Sequence, residues 1–233
     1  FDLESNPAVG AASIGWYSES SVQSLLWDFF DAGADGIDSI ALGFEPVHRT
    51  MSTELRTGPA FSTIYPFVEG LRARVPAADA TIEALTRNQL ITLTRGDFFG
   101  AAETNNGGDA RNLPLYRPIT LATTERGCST ISPNGAGNKL GVYKFLRFEL
   151  ATNRSLTVNV QGPPSQANRA DADPDVFVYR AGSILAFGDA TGLADSAVLN
   201  SAAPGTYLIE VYEYSNVDTS AGARGETCID VTL

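Results

Sequence analysis

The chain has 233 residues, 43% of them hydrophobic and 18% charged, enough apolar material for one large core or two small ones, which excludes wholesale disorder. Its 16 Lys and Arg stand against 27 Asp and Glu, a net charge of -11, which excludes the basic footprint of a phosphate-backbone binder, so no nucleic-acid partner is expected. No apolar run nears the roughly 18–20 residues that a membrane-spanning helix needs, so no membrane span is expected. The charge is uneven: residues 1–110 hold fifteen acids and six bases, residues 111–233 twelve and ten. That shift is a first sign of two modules.

The chain opens FDLESNPAVG, without an initiator Met, a basic n-region or an apolar signal stretch. It reads as a processed product whose N-terminal portion is missing, and that missing portion is its first expected partner. Ser18 then precedes ESSVQSLLWDFFDAG, a helix start with Glu19 in the first turn. Val22, Leu25, Leu26, Phe29 and Phe30 recur at helical spacing, and Gly33 is expected to stop the helix by a left-handed cap. In GFEPVHRTMSTEL, Pro46 fits a first turn, and Val47 and Met51, four apart, are expected to share a face. Gly58-Pro59 ends this element. Ile64, Phe67, Val68 and Leu71 mark a third helix, starting no earlier than about Tyr65 because of Pro66 and closed by Pro76. A last helix is expected over AADATIEALTRNQL, with Ile82 and Leu85 inward.

Residues 100–117 contain Asn-Asn-Gly-Gly and no periodicity, and read as the interdomain linker. From Pro118 the period changes to two. PITLATTE, VYKFLRFEL, SLTVNVQG, DVFVYRAG, SILAFGD, SAVLNSA, GTYLIEVYEY and ETCIDVTL are short β-prone runs between turn clusters. In YLIEVYEY, Leu208, Glu210, Tyr212 and Tyr214 alternate against Tyr207, Ile209, Val211 and Glu213. The expected fold is therefore α+β: a helical module over 1–105, then an antiparallel, jelly-roll-like β-sandwich over 118–233.

A Cys/His zinc site is excluded by count, since His48 is the one His and Cys128 and Cys228 the two Cys. The two Cys adjoin the runs that open and close the sandwich, so they are expected to form a disulfide, with two reduced core thiols as the alternative. His48 reads as a helix-surface or capping residue. A Ser nucleophile would have only His48 as base, and no G-x-S-x-G occurs, so no catalytic residue is assigned. Asp28 and Asp31 are a carboxylate pair three apart, the usual mark of a solvated face. Asp171, Asp173 and Asp175 offer three carboxylates at alternate positions, a pattern that suits calcium and equally suits a turn that caps its own backbone. Asp31, Asp35 and Asp38 are a weaker calcium set, with Gly33 and Leu42 where an EF-hand places ligands. No other cofactor is expected. Tyr179, Tyr207, Tyr212 and Tyr214 fit either cross-strand packing or a face for a polymer or peptide.

DPDVFVYRAGSILAFGDA followed by APGTYLIEVYEY resembles the bacterial pre-peptidase C-terminal domain, through Asp173-Pro174-Asp175, Phe177 and Tyr179, then Pro204-Gly205-Thr206-Tyr207 and Tyr212. The resemblance covers about residues 120–233. It implies a β-sandwich appended to secreted bacterial proteases, some of whose members bind matrix or calcium. WYSESSVQSLLWDFFD with DGIDSIALGF resembles the helical segment downstream of the zinc site in thermolysin- and fungalysin-like metallopeptidases, over about residues 1–75. The His-Glu-x-x-His motif of those families does not occur in this chain. The resemblances together imply the non-catalytic C-terminal part of a secreted, periplasmic or cell-surface metallopeptidase-like protein, inactive alone. Its sandwich would be an accessory or substrate-targeting domain for an extracellular matrix or cell-wall polymer. The alternative is an extracellular binding or adhesion module without an enzymatic parent.

Overall fold

The computed structural model describes residues 3, 14–33, 39–130, 141–163, 172–218 and 224–233. The chain divides into two compact units, Phe1–Pro114 and Leu115–Leu233. Helices form the first and β-strands dominate the second, so the fold is mixed α+β with a β-sandwich.

In the first unit, helix α1 spans Glu19–Phe30, and its N-cap Ser18 accepts a bond from the Ser21 N–H. Leu25 and Phe29 are fully buried, as the spacing predicts. The expected Gly33 cap is corrected: the helix already ends at Asp31, which turns to extended backbone, and its carboxylate accepts the Gly33 N–H at 2.9 Å. Helix α2 (Phe44–Arg49) runs through a π-helical turn, Thr50–Glu54, into α3 (Leu55–Thr57). The π turn adds a residue per turn and so rotates the side chains beyond it about the helix axis. That parts Val47 (9% exposed) from Met51 (46%), which were expected to share a face. Helix α4 (Ile64–Arg74) buries Ile64, Phe67, Val68 and Leu71, and α5 (Asp79–Asn88) buries Ile82 and Leu85.

The segment 100–114 belongs to the first unit and is not a spacer. Its centre is the buried Glu103 carboxylate. That group accepts the Tyr65 hydroxyl at 2.7 Å and the N–H groups of Thr92, Thr104 and Asn105 at 2.9, 2.8 and 2.7 Å. The Asn and Gly residues that suggest a linker supply the turns that wrap this carboxylate, with Asn105 also bonding the Ile14 and Leu90 carbonyls.

Among the described residues, the second unit has nine strands: β1 (Tyr116–Pro118), β2 (Thr124–Ser129), β3 (Lys144–Leu150), β4 (Arg154–Gln161), β5 (Pro174–Arg180), β6 (Ser183–Gly188), β7 (Ala194–Ala202), β8 (Gly205–Glu213) and β9 (Thr227–Thr232). A short helix, α6, spans Tyr214–Val217. One sheet has the order β1-β3-β8-β5-β6 and the other β2-β9-β4-β7. The run PITLATTE, expected as one strand, is split: its first residue ends β1 and its last two open β2. Among the described residues, all pairings are antiparallel except β1 with β3. Leu146, Phe148, Val176, Val178, Tyr207, Ile209 and Val211 from one sheet meet Val158, Val160, Ala197, Leu199, Ile229 and Val231 from the other in one core. Cys128 and Cys228 face each other across the β2–β9 ladder and are bonded.

Candidate ligand-binding face

Strand β8 keeps the period of two. Tyr207, Ile209 and Val211 enter the core, and Leu208, Glu210 and Tyr212 take the opposite face of the sheet. Register then decides their neighbours. Glu210 stands directly across from Phe145 on β3 and from Phe177 on β5. Tyr212 stands across from Asp175, and Phe177 from Phe187 on β6. Tyr143, just before β3, packs edge-on against Tyr212 with centroids 5.1 Å apart and planes at 87°. Phe177 lies near-parallel to both Tyr212 (6.1 Å) and Phe187 (5.6 Å), and 6.5 Å from Tyr179. The result is a half-buried aromatic row across three strands, ending at Phe187, which is 55% exposed.

Two carboxyl groups sit in this row. Glu210 accepts a hydrogen bond from the Tyr179 hydroxyl, and Asp175 from that of Tyr212. Burial disfavours the charged form and pushes Glu210 up from 4.5 to about 7, against the opposing pull of the Tyr179 bond. Asp175, only 4% exposed, rises from 3.8 to about 6. Burial is the main cause, the Tyr212 bond opposes it, and the charges of Asp173, Asp189 and Asp195 add to it. Burial and the Glu210 charge raise Tyr179 to about 12 and lift Tyr143 as well.

The residues singled out by sequence scatter. Asp171 lies outside the described residues. Asp173 is a structural junction: its N–H donates to both Glu213 oxygens at 3.2 and 3.1 Å, its carboxylate accepts the Gly192 N–H at 2.8 Å, and its carbonyl accepts the Tyr214 N–H at 2.9 Å. Glu213 is itself fully buried, 3.7 Å from the Arg224 guanidinium. Among the described residues, no three His, Cys, Asp or Glu side chains are grouped to hold a metal ion. Asp35 and Asp38 also lie outside the described residues.

The four tyrosines divide. Tyr207 is a core residue stacked on Phe148 at 5.0 Å, Tyr179 and Tyr212 belong to the aromatic row, and Tyr214 is exposed on α6 with its hydroxyl toward Asp218. His48 is exposed and stacks on Phe44 one helical turn back. Sequence reasoning missed Glu210, Tyr143, Phe145, Phe177 and Phe187 as a group. The alternation in YLIEVYEY already puts Glu210 and Tyr212 on one face, but the neighbours come from β3, β5 and β6, and register is not written in any one strand.

No family model matches the chain, and no curated protein matches it. Among solved structures, the pre-peptidase C-terminal domain of the Bacillus anthracis collagenase is similar at 20% identity, over 50% of this chain and 92% of that one, with a TM-score of 0.36. The Aeromonas hydrophila PliG, a periplasmic inhibitor of g-type lysozyme, is similar at 19% identity over 51% of this chain and 95% of that one, with a TM-score of 0.29. Among the described residues, no helix is long and apolar enough to cross a membrane.

Proposed function

We propose that this chain is a non-catalytic part of a secreted metallopeptidase-like protein, and that its sandwich is an accessory domain holding the parent on an extracellular polymer. The aromatic row of Tyr143, Phe177, Phe187 and Tyr212 carries the reading, because a half-exposed line of rings beside two polar carboxyls has more ligand-facing character than a packed sheet face needs. Two further features support it. The Cys128–Cys228 bond suits an oxidising compartment. The stretches around Asp173-Pro174-Asp175 and Pro204-Gly205-Thr206-Tyr207 resemble an accessory domain of secreted proteases. Catalysis is assigned to the parent, because a peptidase zinc site takes two His in most such folds and this chain has one.

Co-sedimentation of the chain with insoluble collagen, chitin and peptidoglycan tests the reading. Retention on at least one, lost in a Phe177→Ala/Phe187→Ala variant that still unfolds cooperatively, is the expected result. Equal retention of both proteins, or of neither, overturns it. Casein cleavage by the isolated chain that a chelator blocks would overturn the non-catalytic assignment.

A further inference from the structure

We propose that Glu210 and the rings around it form a seat for an organic cation, the ammonium or guanidinium of a Lys or Arg side chain, so that the polymer held on this face is a polypeptide. The inference rests on the targeting role given to this face above and specifies its ligand. Register sets the seat. Phe145 and Phe177 flank Glu210 directly, Tyr212 comes two residues on along the same strand, and Tyr143 and Tyr179 take two of the diagonal positions. Neighbours at such diagonals are about 7–8 Å apart, within reach of long and aromatic side chains. One carboxylate thus stands among five aromatic side chains.

Charge complementarity names the occupant. Among the described residues, no Arg or Lys forms an ion pair with Glu210 or with Asp175, and the one polar group bonded to Glu210 is the neutral Tyr179 hydroxyl. Arg147 takes the remaining diagonal on β3, beside Leu208, and does not pair with Glu210. A half-buried carboxylate without a countercharge is unfavourable by itself. A cation placed over the rings meets the negative faces of their π systems and at the same time compensates the carboxylate, in surroundings less screened than water. A neutral sugar polymer stacks on rings but leaves the carboxylate uncompensated. A polyanion is repelled.

Fluorescence anisotropy at pH 8 and low salt, with labelled hexalysine and the full disulfide-bonded chain, tests the seat. Glu210→Gln should weaken hexalysine binding about tenfold or more, while Glu125→Gln, which removes the same charge from the other sheet, should change it less than twofold. Phe177→Leu should weaken it too, and a thermal melt of each variant shows that it is folded. Equal weakening by Glu210→Gln and Glu125→Gln reduces the binding to attraction by the overall charge of -11 and overturns the seat. So does absence of hexalysine binding. If the chain then still sediments with chitin through Phe177 and Phe187, the seat has failed and the targeting reading survives. If it sediments with no polymer, both have failed.

Discussion

Glu210 and Glu103 are both carboxylates among buried neighbours, and their surroundings give them opposite roles. Glu103 accepts four hydrogen bonds, three from backbone N–H groups, so removing it orphans buried donors. Glu103→Ala is expected to destabilise the first unit by about 3 kcal/mol or more, read from urea denaturation, and a loss under about 1 kcal/mol would refute this role for the segment. Glu210 accepts one bond, and burial raises it from 4.5 to about 7. A carboxyl whose folded value is raised contributes its stability fully below about 4.5 and loses it as pH rises through about 7, because the unfolded chain releases the proton first. Asp175 has the same sign in a window from 3.8 to about 6, and burial raises Glu213 in the same direction. The melting temperature is therefore expected to fall between pH 4.5 and 7, and Glu210→Gln should flatten that fall and stabilise the protein at pH 8. A Glu210→Gln profile parallel to the wild type would contradict this.

At the scale of elements, helix α4 and the π-helical turn make contact through a missing side chain. A Cβ on Gly70 would come within 2.9 Å of the Glu54 Cβ and 3.0 Å of the Thr50 Cγ2. Gly70→Ala gains about 1 kcal/mol of helix propensity yet must push two helices apart, so a net loss of about 1–2 kcal/mol is expected in the denaturation midpoint. A gain would mean that the helices shift freely. This contact also marks the limit of what the sequence discloses. Helices α1, α4 and α5 are legible because Leu25, Phe29, Val68, Leu71, Ile82 and Leu85 repeat at 3.6 residues and are buried accordingly. Strands β3–β9 are legible because their apolar residues alternate. The π turn is not legible, since one extra residue in a hydrogen-bond ring leaves no compositional trace and shows only as Met51 facing solvent. Nor is the segment 100–114, where polar turn residues serve a buried carboxylate instead of a spacer. The candidate face was half legible: β8 shows which of its residues share a face, and only the pairing of three strands shows that Phe145 and Phe177 flank Glu210.

The second unit holds both cysteines, and their place in the molecule decides what the bond does. Among the described residues, strand β2 is the edge of its sheet and pairs with β9, over six residue pairs that include Cys128 with Cys228. On its other side, β9 pairs with β4 through Asp230, Val231 and Thr232 among the described residues. Among the described residues, the Thr227–Ile229 half of β9 is laddered on the β2 side, and Cys228 lies in that half. The bond closes a sequence separation of 100, for which the chain-entropy treatment gives about 4–5 kcal/mol, with losses on removing native disulfides of about 2–5 kcal/mol. Because Ile229 and Val231 belong to the sandwich core, freeing β9 exposes core and not merely an end. Reduction, or Cys128→Ala with Cys228→Ala, is expected to lower the stability of the Leu115–Leu233 unit by about 2–4 kcal/mol and to leave the first unit's transition in place. Hydrogen exchange should show β2 and the first half of β9 losing protection before β3, β5 and β8. An unchanged denaturation midpoint after full reduction would mean that the bond contributes nothing to this sandwich's stability. Protection lost evenly across both sheets would show that the strand pair and the core open as one unit.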